Sequence, residues 1–166
     1  MRMGSLVLVV TLIAYSPLTT HHSPTRADDP PAKFELTKEE KKLLELTNKE
    51  REKEKLPPLK PNSLLFKIAR AHSTNMAKQG KMEHVLDDKN PVQRLKESGY
   101  KYAYFGENIA YGQDDFDQLM KGWMSSEGHR KNILSKNFTE IGLGIARSKD
   151  DVPYFTQVFG QPAKSR

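Results

Sequence analysis

At 166 residues with a formal charge of +6, the chain is long enough for one domain with a real core and too short for two of ordinary size. It has no cysteine, which excludes disulfides, thiolate metal sites and cysteine nucleophiles, so packing alone must stabilise it. Lysines and glutamates alternate through 49–55, a solvated helix face rather than a basic patch, and no clustered cations with interleaved aromatics point to nucleic acid.

Met1-Arg2, the apolar run Leu6 to Tyr15 and the small residues Thr25 and Ala27 around Arg26 have the layout of a signal peptide over 1–27, the apolar run being too short for a bilayer-spanning helix. Without Arg2 and Arg26 the remainder holds 25 basic against 21 acidic residues, a mild excess compatible with attraction to an anionic envelope surface. Residues 28–36 are rich in proline and aspartate and are expected as a disordered lead-in to a domain over 37–162, with 163–166 as a tail.

Thr37 and Glu40 form a capping box for a helix that turns Leu43, Leu44 and Leu46 inward and stops at Leu56-Pro57-Pro58. Asn48 and Arg51 on that helix read equally as a surface pair or as a clamp on a neighbouring loop. Leu64, Leu65, Ile68, Ala69, His72 and Met76 keep helical spacing up to the stop at Gly80. His72 falls on the apolar stripe, where a buried histidine bonded to backbone is favoured over a site role. Asn90 caps a short helix with Pro91 at its first position, ending before Gly99. Tyr100, Tyr102 and Tyr104 alternate as a strand. Phe116, Leu119, Met120 and Trp123 mark another helix, opened by Asp114-Asp115. Residues 140–147 and 154–159 are strand-like runs joined by a hairpin at 148–151. Helices first and strands gathered late make the class α+β.

Three groups stand out chemically. His84 follows a helix stop in a loop, where side chains are free to face a cleft. Glu107 lies between Gly106 and apolar neighbours, so its carboxylate needs a partner, and an imidazole is a natural one. His129 sits in the first turn of a helix capped by Ser126, where the dipole favours the neutral imidazole that ligates metal or acts as a base. Glu127 is explained by its place at that helix start. Ser126 as a nucleophile competes with its role as cap, and the serines lack Gly-x-Ser-x-Gly. There is no HExxH either.

These residues carry a resemblance. GENIA (106–110), WMSSEGHRKNIL (123–134), FTEIGLGIA (138–146) and YFTQVFG (154–160) resemble the CAP superfamily, the SCP-like extracellular domain, in its bacterial branch, over about Leu43 to Gln161. The resemblance implies an α-β-α sandwich with a small central antiparallel sheet and a cleft lined by two His and two Glu. By motif, His84, Glu107 and His129 match three of these, while Ser126 stands where the second glutamate falls and Glu127 one residue further on, so an incomplete tetrad is expected. It further implies a secreted or periplasmic, monomeric, disulfide-free protein that binds a lipid or cell-envelope component. A zinc or other divalent ion would be held by His84 and His129. A hydrolase with Glu107 as general base, and an interaction module braced by the His/Glu cluster, are the alternatives. No nucleic acid and no stable transmembrane anchor are expected.

Overall fold

The computed structural model describes residues 34–164; the expected signal peptide lies outside them. The helices are α1 (Lys38–Lys53), α2 (Ser63–Gln79), α3 (Pro91–Ser98), α4 (Phe116–Ser125) and α5 (Glu127–Ile133). The strands are β1 (Lys60–Pro61), β2 (Tyr102–Tyr111), β3 (Glu140–Arg147) and β4 (Pro153–Pro162). They form one four-stranded sheet in the order β1-β3-β4-β2. Helix α2 lies on one face, and α1, α4 and α5 pack against the other.

Local chemistry explains most boundaries. The Thr37–Glu40 capping box opens α1, and Asn90 with Gln93 opens α3 behind Pro91. Gly80 and Gly99 end α2 and α3 in the left-handed region, with φ of 65° and 80°, where a Cβ is costly. Asp115 caps α4 by accepting from Gln118 N. Asn62 caps α2 from outside the apolar stripe.

Several expectations are corrected. The expected sandwich stands, with β2, β3 and β4 antiparallel, and the two residues of β1 add a short parallel pairing with β3. Leu64 is exposed, and Phe66 is buried in the core. The tyrosine strand is longer than the alternation alone marks, since β2 continues through the Gly-Glu-Asn run to Tyr111, paired antiparallel with β4. Ser126 occupies the N-cap of α5 but makes no side-chain cap bond. The last residues of the expected lead-in are held to the domain: the Phe34 ring packs edge-on against Phe66 at 5.1 Å, and Arg70 donates to Glu35 O.

The choice left open for Asn48 and Arg51 is settled as a clamp. Asn48 exchanges two hydrogen bonds with the Leu59 backbone. Arg51 is fully buried and donates to the carbonyls of Pro57, Ile133, Ser135 and Phe138. One guanidinium thereby satisfies four backbone acceptors, one after α1, one at the end of α5 and two in the segment between α5 and β3.

Candidate functional site

Strand β2 is an edge strand, and its alternation sends successive side chains of the Gly-Glu-Asn run to opposite faces. Gly106 is a glycine for want of room: a Cβ there would meet Asn132 Oδ1 and Phe138 Cζ, both at 2.9 Å. Asn108 faces α5, where its amide donates to His129 O at 3.1 Å and to Gln157 Oε1 at 3.0 Å. Asn132 donates back to Asn108 Oδ1 and to Glu107 O. This amide cluster, centred on the fully buried Asn108 and Gln157, fixes the backbone of α5 at His129.

Glu107 faces the other way, toward α2 and α3. Its side chain is only 4% exposed and accepts three charge-assisted or ring hydrogen bonds. Arg94 Nη2 reaches both oxygens at 2.9 and 2.8 Å, and His84 Nδ1 reaches Oε1 at 2.8 Å. His72 Nε2 stands 3.9 Å from the same Oε1. Burial pushes the Glu107 carboxyl up, but the His84 hydrogen bond and the Arg94 charge overcome it and hold the group below the ordinary carboxylate value. Glu107 is therefore an ionised carboxylate held between a guanidinium and an imidazole.

Arg94 also holds the loop. Its Nη1 donates to His84 O at 2.9 Å and Lys89 O at 2.8 Å, so one side chain fixes both the carboxylate and the loop that carries His84.

The three histidines differ. His84 is half exposed, with Nδ1 committed to Glu107, which leaves Nε2 as its free ring nitrogen. His129 is half-buried, and burial together with nearby His84 lowers its pKa, so the ring is neutral at physiological pH. His72 is buried with Nε2 unpartnered; burial, and to a lesser degree Arg94 and His84, lowers its pKa from the usual 6.5 to about 4.

The structure thus joins His84 to Glu107 directly and relates His129 to His84 only through space. His129 lines an apolar slot of about 300 Å³ with Met82, Ile109, Leu119, Trp123 and Ser126. Glu127 is exposed at the first position of α5 and lines no part of that slot. Arg94 and His72 were not legible as partners of Glu107. The one signal in the residues was that a buried carboxylate needs a cation, and the guanidinium fork meets that need better than an imidazole. As to a metal, a divalent ion would draw on Nε2 of His84, whose Nδ1 the carboxylate orients, and on the neutral ring of His129. Among the described residues no group of three or more His, Asp or Glu is placed to hold one.

The neutral state of His72 has a pH consequence. Unfolding would restore its ordinary pKa, so below about 6.5 the unfolded chain binds a proton that the native chain refuses until about 4. Stability therefore falls as pH drops through that window. In urea titrations, His72→Gln is expected to remove a loss of roughly 2–3 kcal/mol between pH 7 and pH 4. If wild type and variant fall in parallel, His72 is not the group responsible.

The model of the cysteine-rich secretory protein (CAP) family matches residues 44–159. YkwD of Bacillus subtilis is 46% identical over 110 residues, 66% of this chain and 43% of that protein. An extracellular protein of Bacillus anthracis containing an SCP domain aligns structurally with a TM-score of 0.65 at 29% identity, over 77% of this chain and 45% of that one. An outer surface protein of Borrelia burgdorferi shares the fold, with a TM-score of 0.72 at 20% identity over 78% of this chain and 97% of that one. The chain spans less than half the length of the Bacillus subtilis relatives it matches.

Proposed function

This chain belongs to the cysteine-rich secretory protein (CAP) family, and from that premise we propose that it is an exported, non-catalytic binding domain whose ligand docks at the rim formed by His84 and His129. Exported relatives and the signal-like N-terminus support the location, at the cell envelope or beyond it. None of the described helices is long and apolar enough to cross a membrane.

The observation that carries the reading is the pairing of Glu107 with Arg94 and His84. A general base works best with a pKa near the working pH and must be within reach of the proton it takes. Both Glu107 oxygens are occupied by Arg94, with His84 on one of them, and the group is held below the ordinary pKa. This argues against the hydrolase reading and makes Glu107 the brace that aims His84. The aimed ring, with its Nε2 free, and the neutral His129 are then the groups left to meet a ligand. The apolar slot beside His129 suits the hydrocarbon part of a lipid or envelope component.

At the same rim, His84 and His129 would hold a zinc or similar divalent ion weakly, supplying two nitrogen donors and leaving the remaining positions to water or ligand. Calorimetric titration with zinc is expected to give heat with the wild type and none with His84→Ala or His129→Ala. Glu107→Gln is expected to weaken uptake by about 10–100-fold through loss of the oriented tautomer. No heat from the wild type at millimolar zinc rules out the metal; hydrolysis lost on Glu107→Gln with the fold intact would instead restore the enzyme reading.

A further inference from the structure

Helix α5, which carries His129, is seven residues long and buries a single side chain, Ile133. A helix that short has little stability of its own, and its N-cap residue Ser126 supplies no side-chain bond. Polar attachments to the rest of the fold must therefore set its place. Granting the rim its ligand-binding role, on which this rests, we propose that Thr47 and Gln157 are positioning residues for His129. Neither lines the slot at the rim; they act through Asn108 and Asn132 along one directed chain of hydrogen bonds.

The chain starts on α1. Thr47 Oγ1 donates to Leu43 O at 2.8 Å, which leaves the oxygen as an acceptor, and it takes the proton of Gln157 Nε2 at 2.9 Å. Gln157 on β4 therefore presents Oε1 to Asn108, whose Nδ2 donates to it at 3.0 Å. Asn108 Nδ2 gives its second proton to His129 O at 3.1 Å, and Asn108 Oδ1 accepts from Asn132 Nδ2 at 2.9 Å. Asn132 Nδ2 donates further to Glu107 O at 3.2 Å. The amide orientations are thus fixed from both ends. Leu43 O sets them on one side, and His129 O and Glu107 O on the other, because a backbone carbonyl can only accept. All these bonds agree in direction. Thr47, Asn108 and Gln157 are fully buried, so a missing partner anywhere among them leaves a polar group unsatisfied.

The chain touches both halves of the rim. Asn108 holds the backbone of His129 itself. Asn132 ties α5 to the backbone of Glu107, the residue whose carboxylate holds His84 Nδ1. The helix that bears His129 is thereby registered against the strand that aims His84. At the other end of α5, Arg51 Nη1 donates to Ile133 O at 2.8 Å, a fastening that the chain does not share. Loss of the chain therefore frees the His129 end of α5 rather than the whole helix.

Thr47→Val removes the hydroxyl, and Thr47→Ser keeps it. In metal-free Thr47→Val the ring resonances of His129 are expected to move or broaden, while those of His84, held by Glu107, stay where they are in the wild type. Zinc affinity is expected to fall roughly tenfold, and Thr47→Ser is expected to restore both readouts. Asn132→Ala, at the half-buried end of the chain, is expected to act in the same direction and takes the place of Thr47→Val if that variant does not fold. Ile141→Ala controls for lost stability alone, because it truncates an apolar side chain of the core and leaves every bond of the chain in place. It is expected to leave both readouts unchanged. Unmoved His129 resonances in Thr47→Val or Asn132→Ala overturn the proposal. So does an equal change in Ile141→Ala, or a Thr47→Ser protein that behaves as Thr47→Val does. If the wild type gives no heat with zinc, the metal reading fails, and the His129 resonances alone decide the positioning.

Discussion

Arg94→Leu is expected to destabilise the domain by about 3–5 kcal/mol, far more than a typical surface arginine would. The side chain does three jobs at one place. Its Nη2 bridges both oxygens of a carboxylate that is 4% exposed, and its Nη1 ties His84 O and Lys89 O. Without it, Glu107 keeps only a half-exposed histidine as a hydrogen-bond partner, since His72 is neutral and 3.9 Å away. The carboxyl would then titrate upward, because burial is the largest influence on it and already acts in that direction. In the wild type, the depressed pKa contributes stability above the unfolded value, which is lost as pH falls through the native value. In Arg94→Leu the sign reverses, and the variant is expected to regain stability on mild acidification, as the buried carboxyl takes a proton. The carboxyl carbon shift of Glu107 and urea unfolding at pH 5 and pH 8 measure both effects. Adding Glu107→Leu to Arg94→Leu removes the uncompensated charge and is expected to recover part of the loss. A cost below about 1 kcal/mol for Arg94→Leu would show that the pair is not what holds this face together.

The elements whose signals are local could be read from the chain. Thr37 with Glu40, Asn90 with Pro91, and the stops at Gly80 and Gly99 each act within four residues of a helix end, and each stands where the residues predict. The hairpin between β3 and β4 follows from the same kind of proximity. What the residues did not disclose depends on distant partners. β1 is two residues long, too short to alternate, and exists because Lys60 and Pro61 meet Glu140 and Ile141. Arg51 and Arg94 are each an ordinary cation in a helix until the fold brings four carbonyls to one and a buried carboxylate to the other. At the site, the pairing of His84 with Glu107 follows from the demand of a buried carboxylate for a partner. The direction in which β2 turns that carboxylate, toward Arg94 of α3 and His72 of α2, follows from strand register, which only the sheet reveals.

Gly144→Ala is expected to have the largest effect of all, a loss exceeding about 5 kcal/mol and in practice a chain without a cooperative unfolding transition. Gly142 and Gly144 lie on the face of β3 that carries α2, and a Cβ on either would collide with backbone rather than with a movable side chain. At Gly142 the obstructing atoms belong to Leu65 and Phe66; at Gly144 they belong to Ala69 and Arg70. Neither glycine is in the left-handed region, so conformational freedom is not the reason for it; close approach of helix to strand is. That approach lets Ser73 Oγ donate to Gly144 O at 2.9 Å and bond Thr156 Oγ1 at 2.8 Å. It also sets His72, the preceding residue, against Glu107. An added methyl must therefore lift α2 off the sheet, breaking the Ser73 bonds, opening the core around Leu65 and Ala69, and withdrawing His72 from the carboxylate. Gly122→Ala in α4 is the control, because nothing lies within 4 Å of its added Cβ. There the helix should gain up to about 1 kcal/mol from the lost backbone freedom of the unfolded chain. Near-UV circular dichroism and thermal unfolding of both variants make the comparison. A Gly144→Ala protein melting within a few degrees of wild type would mean that the contact between α2 and β3 yields cheaply, and that the 3.9 Å spacing of His72 from Glu107 is not set by it.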